Sequence, residues 1–132
     1  MNRSDIHLLA IDDEEMILLN LVIFLEEEGF SVCSASSGEE ALDALSLQKI
    51  DVAVVDIRLP GIDGNELILK MHDLRPDMKF IVCTGSTEYQ PPEILQNLGI
   101  SETELFHKPV ENMNSLVEAI VRLAQEKPNG SR

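Results

Sequence analysis

The stretch that most constrains the fold is a largely apolar run that ends in an aspartate and then in turn residues. Residues Ile50–Val55 are rich in valine, as expected for a strand buried on both faces of a parallel sheet. Asp56 follows at the predicted carboxyl end, and Pro60–Gly64 contains residues that stop regular structure. Ligands of open α/β sheets bind beyond such strand ends, so Asp56 is a candidate site residue. From this stretch alone, an aspartate that merely ends the strand or caps the next helix is as good an interpretation as a functional residue.

The rest of the chain alternates strand and helix patterns five times. This alternation predicts an α/β fold, a doubly wound (βα)5 sandwich with a five-stranded parallel sheet covered on both faces. The predicted strands are His7–Ile11, Phe30–Ala35, Ile50–Ile57, Lys79–Cys83 and Glu104–His107, and the predicted helices are Met16–Leu25, Gly38–Leu47, Glu66–Leu74, Pro92–Leu98 and Asn114–Gln125.

Local signals set several helix ends. Gly29 predicts a left-handed stop for the first helix, and Ser37 with Glu40 fits a capping box at the start of the second. The fourth helix is the weakest, because Pro91-Pro92 permits it only from there onward and Gly99 ends it after about two turns.

Size and charge narrow the classes of function. At 132 residues we expect one domain, residues 1–126, followed by a flexible tail at 127–132. The formal net charge is −14 and the basic residues are scattered, so we expect no direct binding to nucleic acid or to an anionic membrane. No apolar run reaches membrane-spanning length. Cys33 and Cys83 lie in strand-like runs outside any ligand cluster, which indicates buried reduced thiols and a cytoplasmic protein.

Polar residues follow four of the five predicted strands. They are Asp12 with Asp13, Asp56, Thr84 and Lys108, which the topology brings to one edge of the sheet. Each has an ordinary explanation as a helix cap, a turn residue or a surface lysine, but their joint position favours a site. Carboxylates held close together repel one another, and a hard divalent cation relieves this repulsion. Magnesium is the expected cofactor, because it binds through one or two carboxylates together with a phosphate.

These residue types fit phosphoryl transfer to a carboxylate. An aspartate oxygen can attack phosphorus and form an aspartyl phosphate. Mg²⁺ and an ammonium group at Lys108 would neutralise the phosphoryl oxygens, while the Thr84 hydroxyl would donate to a remaining oxygen.

Four short motifs contain these residues: Ile11-Asp12-Asp13-Glu14, Asp56 followed by Leu59–Gly64, Thr84-Gly85 and Lys108-Pro109. Together they resemble the motifs of the bacterial response-regulator receiver domain, the phospho-acceptor of two-component signalling, and the likeness extends from Leu8 to about Ala124. The resemblance implies a flavodoxin-like sheet in the order 2-1-3-4-5.

The resemblance also implies roles for individual residues. Asp56 would be the phosphorylated aspartate, and Mg²⁺ would bind Asp13, Asp56 and the backbone carbonyl of Arg58, with Asp12 acting largely through water. Thr84 and Lys108 would contact the phosphoryl group, and the peptide bond before Pro109 would be cis.

Four positions bear on the expected switch and on the expected lifetime of the phosphoryl group. The place of the usual aromatic residue, three positions before the lysine, holds Leu105, and Phe106 is predicted on the opposite face of the strand. Arg58 and Ser86 stand where the family tunes the lifetime of the phosphoryl group, so we expect an altered rate of hydrolysis.

The expected function is therefore a receiver phosphorylated on Asp56 by a sensor histidine kinase or a histidine phosphotransfer protein. It would catalyse only its own phosphorylation and dephosphorylation, and it would switch contacts with an unidentified downstream protein. A second copy of the chain, in a homodimer, is a further candidate partner. One alternative is a phosphorylation-independent interaction module, which Leu105 favours. Another is an aspartyl-nucleophile phosphatase, which Arg58 disfavours, because such enzymes usually carry an acid/base aspartate at that position.

Overall fold

A computed structural model describes residues 2–126 of the chain. The predicted tail, residues 127–132, lies outside the described residues, and the predicted domain boundary therefore stays a prediction. The strands are β1 (His7–Ile11), β2 (Ser31–Ala35), β3 (Val52–Asp56), β4 (Lys79–Thr84) and β5 (Leu105–His107), and the helices are α1 (Glu15–Glu27), α2 (Gly38–Leu47), α3 (Gly64–Leu74), α4 (Glu93–Gln96) and α5 (Met113–Gln125).

The strands form one parallel sheet in the order β2-β1-β3-β4-β5. The predicted doubly wound, flavodoxin-like fold is confirmed. Every residue of the central strand β3 is buried, as its valine-rich sequence predicts. In the register of β3 with β4, Asp56 pairs with Cys83, so Thr84 lies one residue further along the neighbouring strand.

Two apolar layers hold the helices to the sheet. Successive strand residues point to opposite faces, and accordingly Val55 belongs to one buried cluster and Val54 to the other. The first layer includes Leu45 of α2 and Leu67 of α3, while the second is formed with α1 and α5. The central strand ends are thus fixed from both sides.

Helix α4 is shorter than the two turns predicted for it. It comprises a single turn, Glu93–Gln96, and begins after Pro92. The N–H groups of Leu98 and Gly99 bond to carbonyls three residues back, and Gly99 takes a φ of +95°. These tight bonds and the left-handed glycine end the helix early, so the predicted extent to Leu98 is wrong.

Smaller differences concern element ends. Strand β2 starts one residue later than predicted, β3 is shorter at both ends, and α3 starts at Gly64 after its cap, Asp63. Two short 3-10 turns, Arg3–Asp5 and Glu102–Glu104, were not predicted. Gly29 has the predicted positive φ, of +101°.

Two local predictions need correction. Ser37 accepts a hydrogen bond from the Glu40 N–H, but the Glu40 carboxylate accepts from the N–H of Ser36, so the capping box is displaced by one residue. Cys83 is a buried free thiol, whereas Cys33 is only half-buried because β2 is an edge strand.

Candidate functional site

Four connections at one edge of the sheet carry the polar side chains of the site. Asp12 directly follows β1, Asp56 and Thr84 end β3 and β4, and Lys108 directly follows β5. All these strands run in the same direction, so their carboxyl ends meet at one edge.

Three carboxylates lie together at this edge. One oxygen from each of Asp12, Asp13 and Asp56 lies within 4.8 Å of the other two. Asp12 is only 3% exposed and Asp56 only 5%, whereas Asp13 is exposed at the surface. The site therefore has two buried acids and one acid at its mouth.

The ammonium group of Lys108 bridges the two buried acids. Its Nζ lies 2.6 Å from Asp12 Oδ2 and 3.2 Å from Asp56 Oδ2. A single positive charge thus faces two buried negative charges, with that of Asp13 nearby. One ammonium cannot compensate all of these carboxylates, so the site keeps an excess of negative charge. Because buried charges are costly unless they are paired, this excess favours the binding of a cation.

The pKa directions follow from this arrangement. Burial raises the pKa of Asp56, and the charge of Asp12 raises it further, against the opposing effects of the Arg58 N–H and of Lys108. Burial alone would lower the pKa of Lys108, but its hydrogen bond to Asp12 and the charge of Asp56 outweigh burial and raise the pKa. Lys108 is therefore a stable ammonium at neutral pH.

Backbone N–H groups hold the other oxygen of each buried acid. Glu14 N–H donates to Asp12 Oδ1 at 2.9 Å, and Arg58 N–H donates to Asp56 Oδ1 at 3.1 Å. In both acids Oδ1 is held by the N–H two residues later and Oδ2 by Lys108. The sequence reasoning above missed these N–H groups, although an aspartate that accepts from the N–H two residues on is a common turn.

Thr84 is fully buried beside this cluster. Its Oγ1 accepts a hydrogen bond from the Ser86 N–H at 3.1 Å. The Thr84 carbonyl accepts from the Lys108 N–H at 2.8 Å, which ties the connection after β5 to the end of β4. A hydroxyl that accepts one bond keeps its own hydrogen to donate.

Three further predicted residues, Leu105, Phe106 and Pro109, lie close to Lys108 in the sequence. Leu105 packs with the buried cluster on the α2 and α3 face, whereas Phe106 packs with the cluster on the α1 and α5 face. Their predicted opposite orientation is confirmed. The Lys108–Pro109 peptide bond is cis, as the resemblance implies.

An apolar cavity of about 240 Å³ opens beside the acids. It lies between α1 and the start of α5, and its walls include Ile17, Leu21, Cys83, Met113 and Leu116. Burial raises the pKa of the Cys83 thiol to about 12, so this wall is neutral at physiological pH.

The donor chemistry of the site fits a hard divalent cation. Carboxylate oxygens are the ligands that Mg²⁺ and Ca²⁺ prefer, and three of them face one another here. A divalent cation would also offset the negative charge that Lys108 leaves uncompensated. The cluster can therefore bind a metal ion.

Comparison with known proteins identifies the family. The family model for the response regulator receiver domain matches residues 8–121 of this chain. The chain belongs to this receiver domain family. Receiver domains are signalling modules of two-component systems, and they interact with histidine kinases or phosphotransfer proteins.

Individual relatives support this assignment. The response regulator SaeR of Staphylococcus epidermidis is 34% identical over 103 residues, which cover 78% of this chain and 44% of SaeR. The chain thus spans less than half the length of that regulator. A CheY-like receiver domain protein from Methanospirillum hungatei is 34% identical, with a TM-score of 0.80 over 90% of this chain and 93% of that one.

A further response regulator was solved with ligands. The response regulator TrrA of Thermotoga maritima, solved in complex with Mg²⁺ and BeF, is 29% identical, with a TM-score of 0.75 over 89% of this chain and 98% of that one.

The receiver therefore carries the aspartate cluster typical of a phosphorylation site. Neither the phosphorylation-independent module nor the aspartyl phosphatase is favoured. Within residues 2–126, no helix has both the length and the hydrophobicity required to cross a membrane.

Proposed function

We propose that this receiver accepts a phosphoryl group on Asp56 from a phosphohistidine of a sensor kinase or phosphotransfer protein. The observation that carries this proposal is the ammonium of Lys108, which lies 3.2 Å from Asp56 Oδ2 and 2.6 Å from Asp12 Oδ2. It stands where charge on a phosphoryl group at Asp56 needs to be neutralised.

The reaction exchanges one bond to phosphorus for another. A carboxylate oxygen of Asp56 attacks phosphorus in line with the phosphorus–nitrogen bond of the donor, which breaks, and the imidazole leaves and takes up a proton. Lys108 holds its ammonium beside the new phosphoryl oxygens, and the Thr84 hydroxyl donates its free hydrogen to one of them.

Several of the same residues would also bind a metal ion. Asp12, Asp13, Asp56 and the backbone carbonyl of Arg58 are the groups that would hold Mg²⁺, with Asp12 acting largely through water. Bound Mg²⁺ supplies positive charge for the phosphoryl oxygens. The complex of the Thermotoga response regulator TrrA with Mg²⁺ and BeF supports this choice of ion.

The phosphoryl donor is inferred to dock on α1, next to the acids. This helix carries exposed apolar side chains, of which Met16 is 68%, Leu19 50% and Ile23 45% exposed. Exposed apolar residues that cluster on one element commonly mark protein contacts. Ile17, on the same helix, also lines the cavity beside Asp56, so a docked donor would reach the acids directly.

Phosphorylation would then change contacts with a downstream protein. The added dianion draws Thr84 and Lys108 toward Asp56 and shifts the face formed by α4, β5 and α5. The chain would act in the cytoplasm, without direct binding to nucleic acid, and would catalyse no reaction beyond its own phosphorylation and dephosphorylation. A homodimer stays a prediction.

Phosphorylation with a small donor tests the proposal. The protein is incubated with acetyl phosphate, with and without Mg²⁺, and its intact mass is measured. We expect the mass of one phosphoryl group to be added only with Mg²⁺, and to be absent in Asp56→Asn. Asp63→Asn is the matched control, because it removes a carboxylate from the same connection and keeps an N-cap for α3. Unchanged mass in the wild type, or phosphorylation of Asp56→Asn, contradicts the proposal.

A further inference from the structure

Tyr89 links the connection after Thr84 to α3, the helix that follows the connection from Asp56. It is the only tyrosine in the chain and lies between β4 and α4. Its hydroxyl donates a hydrogen bond to Asn65 Oδ1 at 2.6 Å, across 24 residues of sequence. Asn65 lies in the first turn of α3, which follows the connection from Asp56. The bond therefore fastens the connection after Thr84 to the helix after Asp56.

Local hydrogen bonds extend from Thr84 to the residue just before Tyr89. The Ser86 N–H donates to Thr84 Oγ1 at 3.1 Å, and the Glu88 N–H donates to Ser86 Oγ at 3.3 Å. A rotation of the Thr84 side chain alters the first of these bonds, and so alters the backbone that carries Tyr89.

The Tyr89 side chain is half-buried and has space beside it. Its ring packs against the buried cluster on the α2 and α3 face. Together with Leu105, it also lines a groove of about 600 Å³, which one-turn α4 leaves uncovered. Burial and the charge of Asp63 raise the Tyr89 pKa to about 12, so the phenol remains a hydrogen-bond donor at neutral pH.

We propose that Tyr89 is a positioning residue: its hydrogen bond to Asn65 holds the connection after β4 in the unphosphorylated arrangement and breaks when Thr84 turns toward a phosphoryl group on Asp56. This inference rests on the proposed function. The aromatic side chain that we assign to this coupling thus comes from the connection between Thr84 and α4. The position on β5 where the family usually has an aromatic residue holds Leu105.

Binding of beryllofluoride with Mg²⁺, a mimic of the phosphoryl group, measures this coupling. Tyr89→Phe keeps the ring and removes the bond, which shifts the equilibrium toward the bound arrangement by the free energy of one hydrogen bond. We expect Tyr89→Phe and Asn65→Ala each to bind the mimic roughly fivefold more tightly than the wild type. The double variant should bind no more tightly than either single one. Unchanged or weaker binding in Tyr89→Phe, or additive effects in the double variant, overturns the inference.

Fluorescence provides a second readout, because the chain has one tyrosine and no tryptophan. Beryllofluoride with Mg²⁺ should change the Tyr89 emission of the wild type, whereas Mg²⁺ alone should not. In Asn65→Ala the emission should already resemble that of the bound wild type. Thr87→Ala, in the same connection, is the control and should match the wild type in both measurements. Binding of the mimic without a change in Tyr89 emission overturns this inference alone, while failure of the wild type to bind the mimic or to be phosphorylated on Asp56 overturns the proposed function as well.

Discussion

Lys108 Nζ and Asp12 Oδ2 are 2.6 Å apart, although 96 residues separate them in the chain. The contact joins the connection after β5 to the connection after β1, across the ends of β3 and β4. Asp56 shares the same ammonium at 3.2 Å, so three strand ends depend on one positive charge.

Loss of this charge should destabilise the metal-free fold. In Lys108→Met, Asp12 and Asp56 remain buried without a cation, and removal of one partner of a buried pair costs about 3 kcal/mol. Urea denaturation in EDTA measures the free energy of unfolding. The control Lys70→Met, at an exposed position of α3, should change it by less than about 0.5 kcal/mol. Equal losses in the two variants would mean that the pairing does not stabilise the fold.

The polar ends of the strands could be predicted from sequence, but not their pairing. Asp12, Asp56 and Lys108 each follow a recognisable apolar run, and the parallel sheet brings them together. Which carboxylate oxygen lies next to the Lys108 ammonium depends on the geometry of side chains that are 96 residues apart in the sequence. No local sequence pattern specifies that geometry.

The length of α4 and the hydrogen bond from Tyr89 to Asn65 also could not be predicted from the sequence. Leu95 and Leu98 stand at helical spacing, yet the chain leaves the helix after Gln96, because bonds between residues three apart replace those of the α-helix. The hydrogen bond from Tyr89 to Asn65 depends on the path of a connection with no regular structure.

Glu104 should stabilise the protein at neutral pH and lose this effect in acid. It is 3% exposed, and burial alone would raise its pKa. Hydrogen bonds from Thr103, Ser101 and Arg122 outweigh burial and lower the pKa from 4.5. A carboxyl whose pKa is lower when folded stabilises above its unfolded pKa, and the contribution disappears as the pH falls through the folded value.

Glu104→Gln should therefore lower the free energy of unfolding at pH 7 by about 2 kcal/mol. The difference from the wild type should shrink as the pH falls below 4.5, which urea denaturation at several pH values measures. Glu102→Gln, at an exposed neighbouring position, should change stability little at any of these pH values. A difference for Glu104→Gln that is constant with pH would contradict the assigned cause.

Gly64 should be intolerant of any side chain. A Cβ at this position would lie 2.6 Å from the Ile57 Cα and 2.9 Å from the Asp56 carbonyl oxygen, so the backbone after Asp56 would have to move. We expect Gly64→Ala to lose about 2 kcal/mol of stability and to slow phosphorylation by acetyl phosphate. Gly85→Ala is the stability control, since a Cβ there meets nothing within 4 Å. Wild-type stability and rate in Gly64→Ala would mean that this contact relaxes without cost.

The apolar face of α1 should matter for a protein phosphodonor and not for a small one. Leu19 is 50% exposed on this helix, so Leu19→Ser removes apolar contact area while leaving the core intact. If the donor docks here, transfer from a phosphorylated histidine phosphotransfer protein should slow about tenfold, which corresponds to the loss of 1.4 kcal/mol of contact energy. Phosphorylation of the same variant by acetyl phosphate should keep its wild-type rate, because a small donor reaches Asp56 without touching α1.

Leu74→Ser is the matched control for Leu19→Ser. Leu74 is 54% exposed and lies at the end of α3 that is remote from the strand ends carrying Asp56, so both donors should phosphorylate this variant at the wild-type rate. Equal slowing with both donors would point to a damaged site, and no slowing with the protein donor would remove α1 from the docking surface.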